Sequence, residues 1–341
     1  MKQTVYTGDI IQGVPVISSL NTADLAAGKI YRFMFIGGEM NIGQYWYVPL
    51  MVAKGCHDGQ RFLLNTGIHG DEINGVQVIQ QLFAAMDVTQ LHGTIIGVLQ
   101  ASPNSLLHIS KNWYLSSDGG DFENMNRMFP GNEFGSTGAR HAWKLWSLLW
   151  QGNVDYMIDL HSQSTDTEYP LFVFADFRNP QARQMAELIP ADQIKDDEGE
   201  QGTVETTFIQ HDIPAITIEL GAARVFQDDY IQRSITGIYN IWSSLGFIER
   251  DITETALTNH CFIGNQMHSI RAKTGGYARV LVAIGDDVVA NQLVAQQLNP
   301  FGDVIASYST PVAGKVLSLG TGATREPGGL LVRILYNSID K

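Results

Sequence analysis

Cysteine is nearly missing from this chain: Cys56 and Cys261 are the only two in 341 residues. Two thiols are too few for a disulfide framework or a multi-thiolate metal site, and the expectation for both is a small buried hydrophobe in a reducing compartment. Positive charge is also scarce. Lysine plus arginine total 22 against 35 for aspartate plus glutamate, a net charge of −13 with histidine neutral. A field of that sign repels nucleic acid and anionic membrane surfaces, so neither is expected as a partner. No stretch approaches the roughly 20 apolar residues a spanning helix needs, and the first residues have no apolar signal-like core. A cytoplasmic protein is the expectation. Also absent are a G-x-S-x-G elbow, an H-E-x-x-H and a P-loop, which disfavours serine-based and nucleotide-dependent chemistry.

What is there suffices for a large core. Hydrophobic residues make up 44% and charged residues 17%, which excludes global disorder. The length suits two domains, or one with an addition. Aromatic and β-branched runs at 30–36 and 45–53 predict strands, as does the run 61–66 leading into Gly67-Ile68-His69-Gly70-Asp71-Glu72. Val76, Ile79, Leu82 and Phe83 then fall at helical spacing. Further strands are expected at 94–99, 154–160, 171–175 and 215–220, with a loop over 101–135 and a helix over 137–150 whose Trp143, Trp146 and Trp150 form a core stripe. Strands alternating with helices predict an α/β fold with a mainly parallel sheet flanked by helices. From about residue 256 short strands separated by glycine-rich turns replace this pattern, with at most a helical turn at 290–297. The expected organisation is therefore an α/β catalytic domain over 1–255 and a small all-β barrel-like domain over 256–341.

Chemistry concentrates at the ends of the predicted strands, where open α/β sheets gather ligands. His69 and Glu72 form an H-x-x-E between strand and helix, and an imidazole with a carboxylate three residues on can converge on one cation. His161 ends an apolar strand, and Asp159 two residues earlier lies on the same face, placed to orient its ring. Nitrogen and oxygen donors suit zinc, and three ligands with an open fourth position make a catalytic site. Glu219 is a carboxylate in an apolar strand. It needs either a salt bridge, with Arg224 nearby, or work as a general base. In the loop over 121–131, Arg127 offers a planar fork for a carboxylate, with Asn126 beside it. The other seven histidines have no partner at ligand spacing.

The ordered set Gly67-Ile68-His69-Gly70-Asp71-Glu72, Asn126-Arg127-Met128-Phe129-Pro130-Gly131, Asp159-Leu160-His161 and Ile218-Glu219-Leu220-Gly221 resembles the succinylglutamate desuccinylase/aspartoacylase family, relatives of the M14-type zinc carboxypeptidases. The resemblance implies a zinc-carboxypeptidase-like sheet and one Zn²⁺ per chain on His69, Glu72 and His161. It also implies a substrate clamp of Asn126 and Arg127, and Glu219 as general base. It departs from the family in one respect. Relatives commonly carry another arginine ahead of the asparagine–arginine pair, whereas between Ala101 and Met125 the only cation here is Lys111. Lys111 is thus a substrate-binding candidate, and oxyanion stabilisation is expected to rest more on the metal.

The C-terminal segment resembles a biotinyl/lipoyl barrel whose expected tip, Asn299–Gly302, has no lysine to modify. The expected function is a zinc amidohydrolase that deacylates a small N-acyl amino acid bearing a carboxylate, in a possible homo-oligomer. A metallocarboxypeptidase acting on peptides and a non-catalytic metal-binding homologue are the alternatives.

Overall fold

The computed structural model describes residues 3–338. Its centre is a large mixed sheet, and the middle strands are parallel. His57–Thr66 pairs with His92–Val98 on one side and with Tyr156–His161 on the other, and Tyr156–His161 pairs in turn with Ala215–Ala222. These strands are covered on both faces, which is why they read as nearly unbroken apolar runs. From Tyr45–Lys54 the sheet extends outward through Lys29–Glu39 and Val14–Ser19 to Val5–Ile11, antiparallel except where Val14–Ser19 runs parallel to Lys29–Glu39.

The period of two along each strand sorts side chains between two cores. Phe62, Leu64, Ile158, Leu160, Ile216 and Ile218 pack under the helices Asn74–Ala84, Pro180–Leu188 and Asp228–Ser244. Leu63, Met157 and Ala215 face the opposite layer, built from Thr137–Lys144, Leu145–Trp150 and Val204–Ile209. Asp159, His161, Thr217 and Glu219 are odd-numbered like Met157 and Ala215, so they emerge on this second face at the carboxyl ends of their strands.

The helix expected over 137–150 is α-helical only to Lys144 and finishes as a π-helical turn. That turn buries Trp146 and Trp150 while Trp143 stays half-buried. The expected loop at 101–135 contains a short helix, Pro103–Leu107, and a small hairpin, Trp113–Leu115 with Asp121–Glu123. Residues 293–298 form a strand, not a helical turn. Cys56 is exposed and Cys261 half-buried, so the expectation of two buried thiols fails, most clearly for Cys56.

The C-terminal region contains an antiparallel four-stranded sheet, and its own core includes Val294, Tyr308, Val316 and Leu331. It is not detached. Thr167 and Glu168 pair with Gly320 and Leu319, so the strands Gly314–Gly320, Leu330–Tyr336 and Gln266–Arg271 continue the large sheet. Tyr169, Phe172, Leu317 and Leu335 seal the join.

Candidate metal centre and cleft

His69 and Glu72 lie in the tight turn between the His57–Thr66 strand and the helix Asn74–Ala84. Gly70 is required between them, because a Cβ there would stand 2.0 Å from the backbone carbonyl carbon of Ser105. Asp71 braces the turn from below, accepting from the Thr165 amide and hydroxyl at 3.1 and 2.8 Å. His161 ends its strand and is in register with Glu219 on the next one.

His69, Glu72 and His161 are all buried, and their ligand atoms lie within 4.8 Å of one another. One oxygen of Glu72 is 2.8 Å from His69 Nδ1 and the other 2.7 Å from His161 Nδ1. The far side of each ring is held separately. His69 Nε2 is 3.0 Å from Asn124 Oδ1, an oxygen that already accepts from the Asn126 amide at 2.9 Å. His161 Nε2 is 2.8 Å from Asp159 Oδ2, and Asp159 in turn accepts from Asn65 Nδ2.

This second set of contacts tests whether a cation fits. Both Nε2 atoms face oxygen acceptors, so both must carry the ring proton and leave the Nδ1 lone pair toward Glu72. Lone pairs of two imidazoles and a carboxylate then point at one another in a buried space. Only a proton or a cation can reconcile them, and two nitrogens with a carboxylate are a donor set suited to zinc. The residues fit the metal that the sequence implied. Their acid–base properties express the same conflict. Burial opposes a charged His161, yet Asp159 and Glu72 overcome this and hold its pKa well above the ordinary value. Burial likewise favours a neutral Glu72, but His69 and His161 prevail and hold its carboxyl far below the usual range.

Glu219 is the neighbouring group of interest. Its Oε2 is buried without a hydrogen-bond partner among the described residues. Arg224 does not neutralise it, donating instead to the Ile109 carbonyl at 2.8 Å. Burial, reinforced by the Glu72 carboxylate, pushes the Glu219 carboxyl up to about 8, against the opposing pull of His161 and Lys111.

These groups open into a cleft of about 480 Å³, lined also by Lys111, Asn126 and Arg127. That volume suits a small molecule. Arg127 reaches the cleft but pairs with Glu200 at 2.5 Å and is 42% exposed. Asn126 is partly committed, its Oδ1 accepting from the Val204 amide at 2.9 Å. The Arg127 loop rests on Gly202, whose φ of +85° and closeness to the Arg127 carbonyl leave no room for a side chain.

Sequence reasoning missed four residues here. Asn124 orients His69, but nothing in a polar loop advertises that. Tyr169 is buried in the wall, where burial pushes its hydroxyl up to about 12. Glu205 sits in the cleft and accepts from Thr217 Oγ1 at 2.7 Å, and burial holds its carboxyl well above the usual range. Arg333 enters from the C-terminal strands. The last had a readable signal, a lone charge inside an apolar strand.

Fold and cluster together match a class of deacylating hydrolases: a family model of the succinylglutamate desuccinylase/aspartoacylase catalytic domain covers residues 58–245. With more than half its length matched, the chain belongs to the succinylglutamate desuccinylase/aspartoacylase family. No curated protein matches it by sequence. Among solved structures, it is similar to the product-bound ectoine utilization protein EutE (DoeB) from Ruegeria pomeroyi, with a TM-score of 0.80 and 17% identity over 92% of this chain and 97% of that one. A succinylglutamate desuccinylase/aspartoacylase from Rhodobacter sphaeroides gives a TM-score of 0.78 and 17% identity over 93% and 98%. A succinylglutamate desuccinylase from a Silicibacter species gives 0.77 and 16% over 98% and 100%. At such identities the likeness establishes the fold.

Proposed function

We propose that this protein is a zinc-dependent amidohydrolase that removes the acyl group from a small N-acyl amino acid or related amide. His69, Glu72 and His161 would hold one Zn²⁺ per chain. Bound there, the ion supplies a Lewis acid that polarises the amide carbonyl and acidifies water. Glu219 does the proton work. Its carboxylate takes a proton from the attacking water, keeps it on a buried oxygen, and delivers it to the amide nitrogen as the C–N bond breaks. Water is consumed, and a carboxylic acid and an amine leave. A carboxyl pushed up to about 8 is suited to both halves of that exchange near neutral pH. Arg127 steadies a substrate carboxylate, with Asn126 beside it, and Lys111 adds positive field.

The single observation that carries this reading is the orphaned, buried Glu219 oxygen beside three mutually facing metal-type ligands. An inert metal-binding homologue has no need of such a carboxylate, which is expensive to bury unpaired. Met267, Ser269 and Arg333 wall the cleft from the C-terminal side, which favours small amides over peptides. We further take residues 256–341 as a unit that shapes access rather than carrying a prosthetic group, and a reducing cytoplasm as a setting that suits its free thiols. The test is Glu219→Gln assayed with zinc on a panel of N-acyl amino acids. It should keep its metal and lose at least about 100-fold in kcat. Retained turnover would place the base elsewhere.

A further inference from the structure

The strand Leu330–Tyr336 reads Leu-Leu-Val-Arg-Ile-Leu-Tyr, and Val332 and Ile334 on either side of Arg333 are fully buried. A guanidinium in such a strand is costly unless it is paired or has a purpose. No carboxylate among the described residues forms an ion pair with it. Its hydrogen bonds go to two neutral oxygens, from Nε to Ser269 Oγ at 3.0 Å and from Nη1 to the Tyr169 hydroxyl at 2.5 Å. Both holds are rigid. Ser269 faces Arg333 across the antiparallel ladder, and Tyr169 is only 3% exposed, with its ring centroid 6.0 Å from the guanidinium carbon. The fork so fixed lines the same cleft as His161 and Glu219.

Arg127 stands in contrast. A carboxylate arriving there must displace or share Glu200, whereas at Arg333 the described partners are the neutral oxygens of Ser269 and Tyr169. An oriented guanidinium without its own counter-ion is a carboxylate receptor, since its remaining donors match two oxygens. We propose that Arg333, held by Tyr169 and Ser269, is a second carboxylate-binding group of this cleft, independent of Arg127, and selects amides bearing two carboxylates over those bearing one. The proposal rests on the amidohydrolase reading of the cleft, with the C-terminal strands supplying specificity to a site whose chemistry belongs to the central sheet.

A binding measurement separates this proposal from that reading. With the zinc-loaded full chain, calorimetry compares glutarate with its monoamide, which differs by one negative charge. Wild type should bind glutarate about tenfold or more tightly than the monoamide, and Arg333→Gln should shrink that ratio to about twofold. Arg333→Lys should restore part of the preference, and Tyr169→Phe, which loosens the fork without removing charge, should fall between. In kinetics, Arg333→Gln should raise KM about tenfold for N-acetylglutamate, leave N-acetylglutamine within about twofold, and change kcat little. A glutarate preference that survives in Arg333→Gln, or equal losses for both substrates, would overturn the proposal. If the wild type cleaves no amide but its glutarate preference disappears with Arg333, the subsite stands and the amidohydrolase reading falls.

Discussion

At the scale of single residues, identical side chains acquire opposite properties from their surroundings. His161 lies between two carboxylates and is drawn toward its charged form, whereas His141 is sealed in the core between backbone groups. The His141 Nδ1 accepts from the Gly38 amide at 2.9 Å, and its Nε2 donates to the Ala101 carbonyl at 2.6 Å. Burial lowers its pKa from 6.5 to about 4. Between those values the unfolded chain binds the proton and the folded one does not, so stability falls as pH drops through this window. The loss is on the order of 3 kcal/mol, from the 1.36 kcal/mol that one pKa unit represents. Denaturant unfolding at pH 6.5 and 4 should show it, and His141→Gln, which can keep both hydrogen bonds, should remove that part of the slope. An unchanged slope in the variant would assign the acid sensitivity elsewhere. Arg127, by comparison, is half-exposed and partly occupied by Glu200. Arg127→Ala should raise KM about tenfold for substrates with a free carboxylate and spare matched neutral amides. Equal effects on both would rule out the clamp.

Among the elements, the turn from the His57–Thr66 strand into the Asn74–Ala84 helix is the least forgiving. A methyl group at Gly70 would meet backbone atoms of Ser105 and Leu106, which cannot rotate away. Gly70→Ala should therefore cost about 3 kcal/mol in chemical unfolding and weaken metal binding, because His69 must shift with its backbone. Wild-type stability and metal affinity in that variant would show that the turn adapts. The central strands were legible because burial on both faces leaves apolar runs, and the cluster of His69, Glu72 and His161 was legible because these residues stand where those runs stop. The hairpin of Trp113–Leu115 with Asp121–Glu123 was not, since three-residue strands around a glycine-rich turn carry too few side chains to show a period. The π-helical turn after Lys144 was equally hidden, as one extra residue in a helix barely disturbs the spacing of its tryptophans.

Across the whole molecule, the cleft combines parts that lie far apart in the chain. The proposed ligands and base come from two adjacent parallel strands and the turn after a third, the cleft's loops from the region around Arg127, and one wall from the C-terminal strands. The proposed ligand set could be read from local patterns, whereas Asn124, Tyr169 and Glu205 acquire meaning only through contacts the fold creates, and the lone charge of Arg333 in its apolar strand gains a place only there. Tyr169 and Arg333 are 164 residues apart in sequence and share a hydrogen bond. A wall of this kind predicts that an N-acetyl amino acid is cleaved faster than the same residue at the end of a pentapeptide, measured as kcat/KM. A preference for the peptide would favour a carboxypeptidase. Beneath all of these expectations lies the convergence of His69, Glu72 and His161 on one divalent ion, and metal analysis of the purified protein after equilibrium dialysis against zinc tests it directly. The wild type should retain about one ion per chain and His161→Ala should lose it; equal metal content in the two proteins would contradict the account.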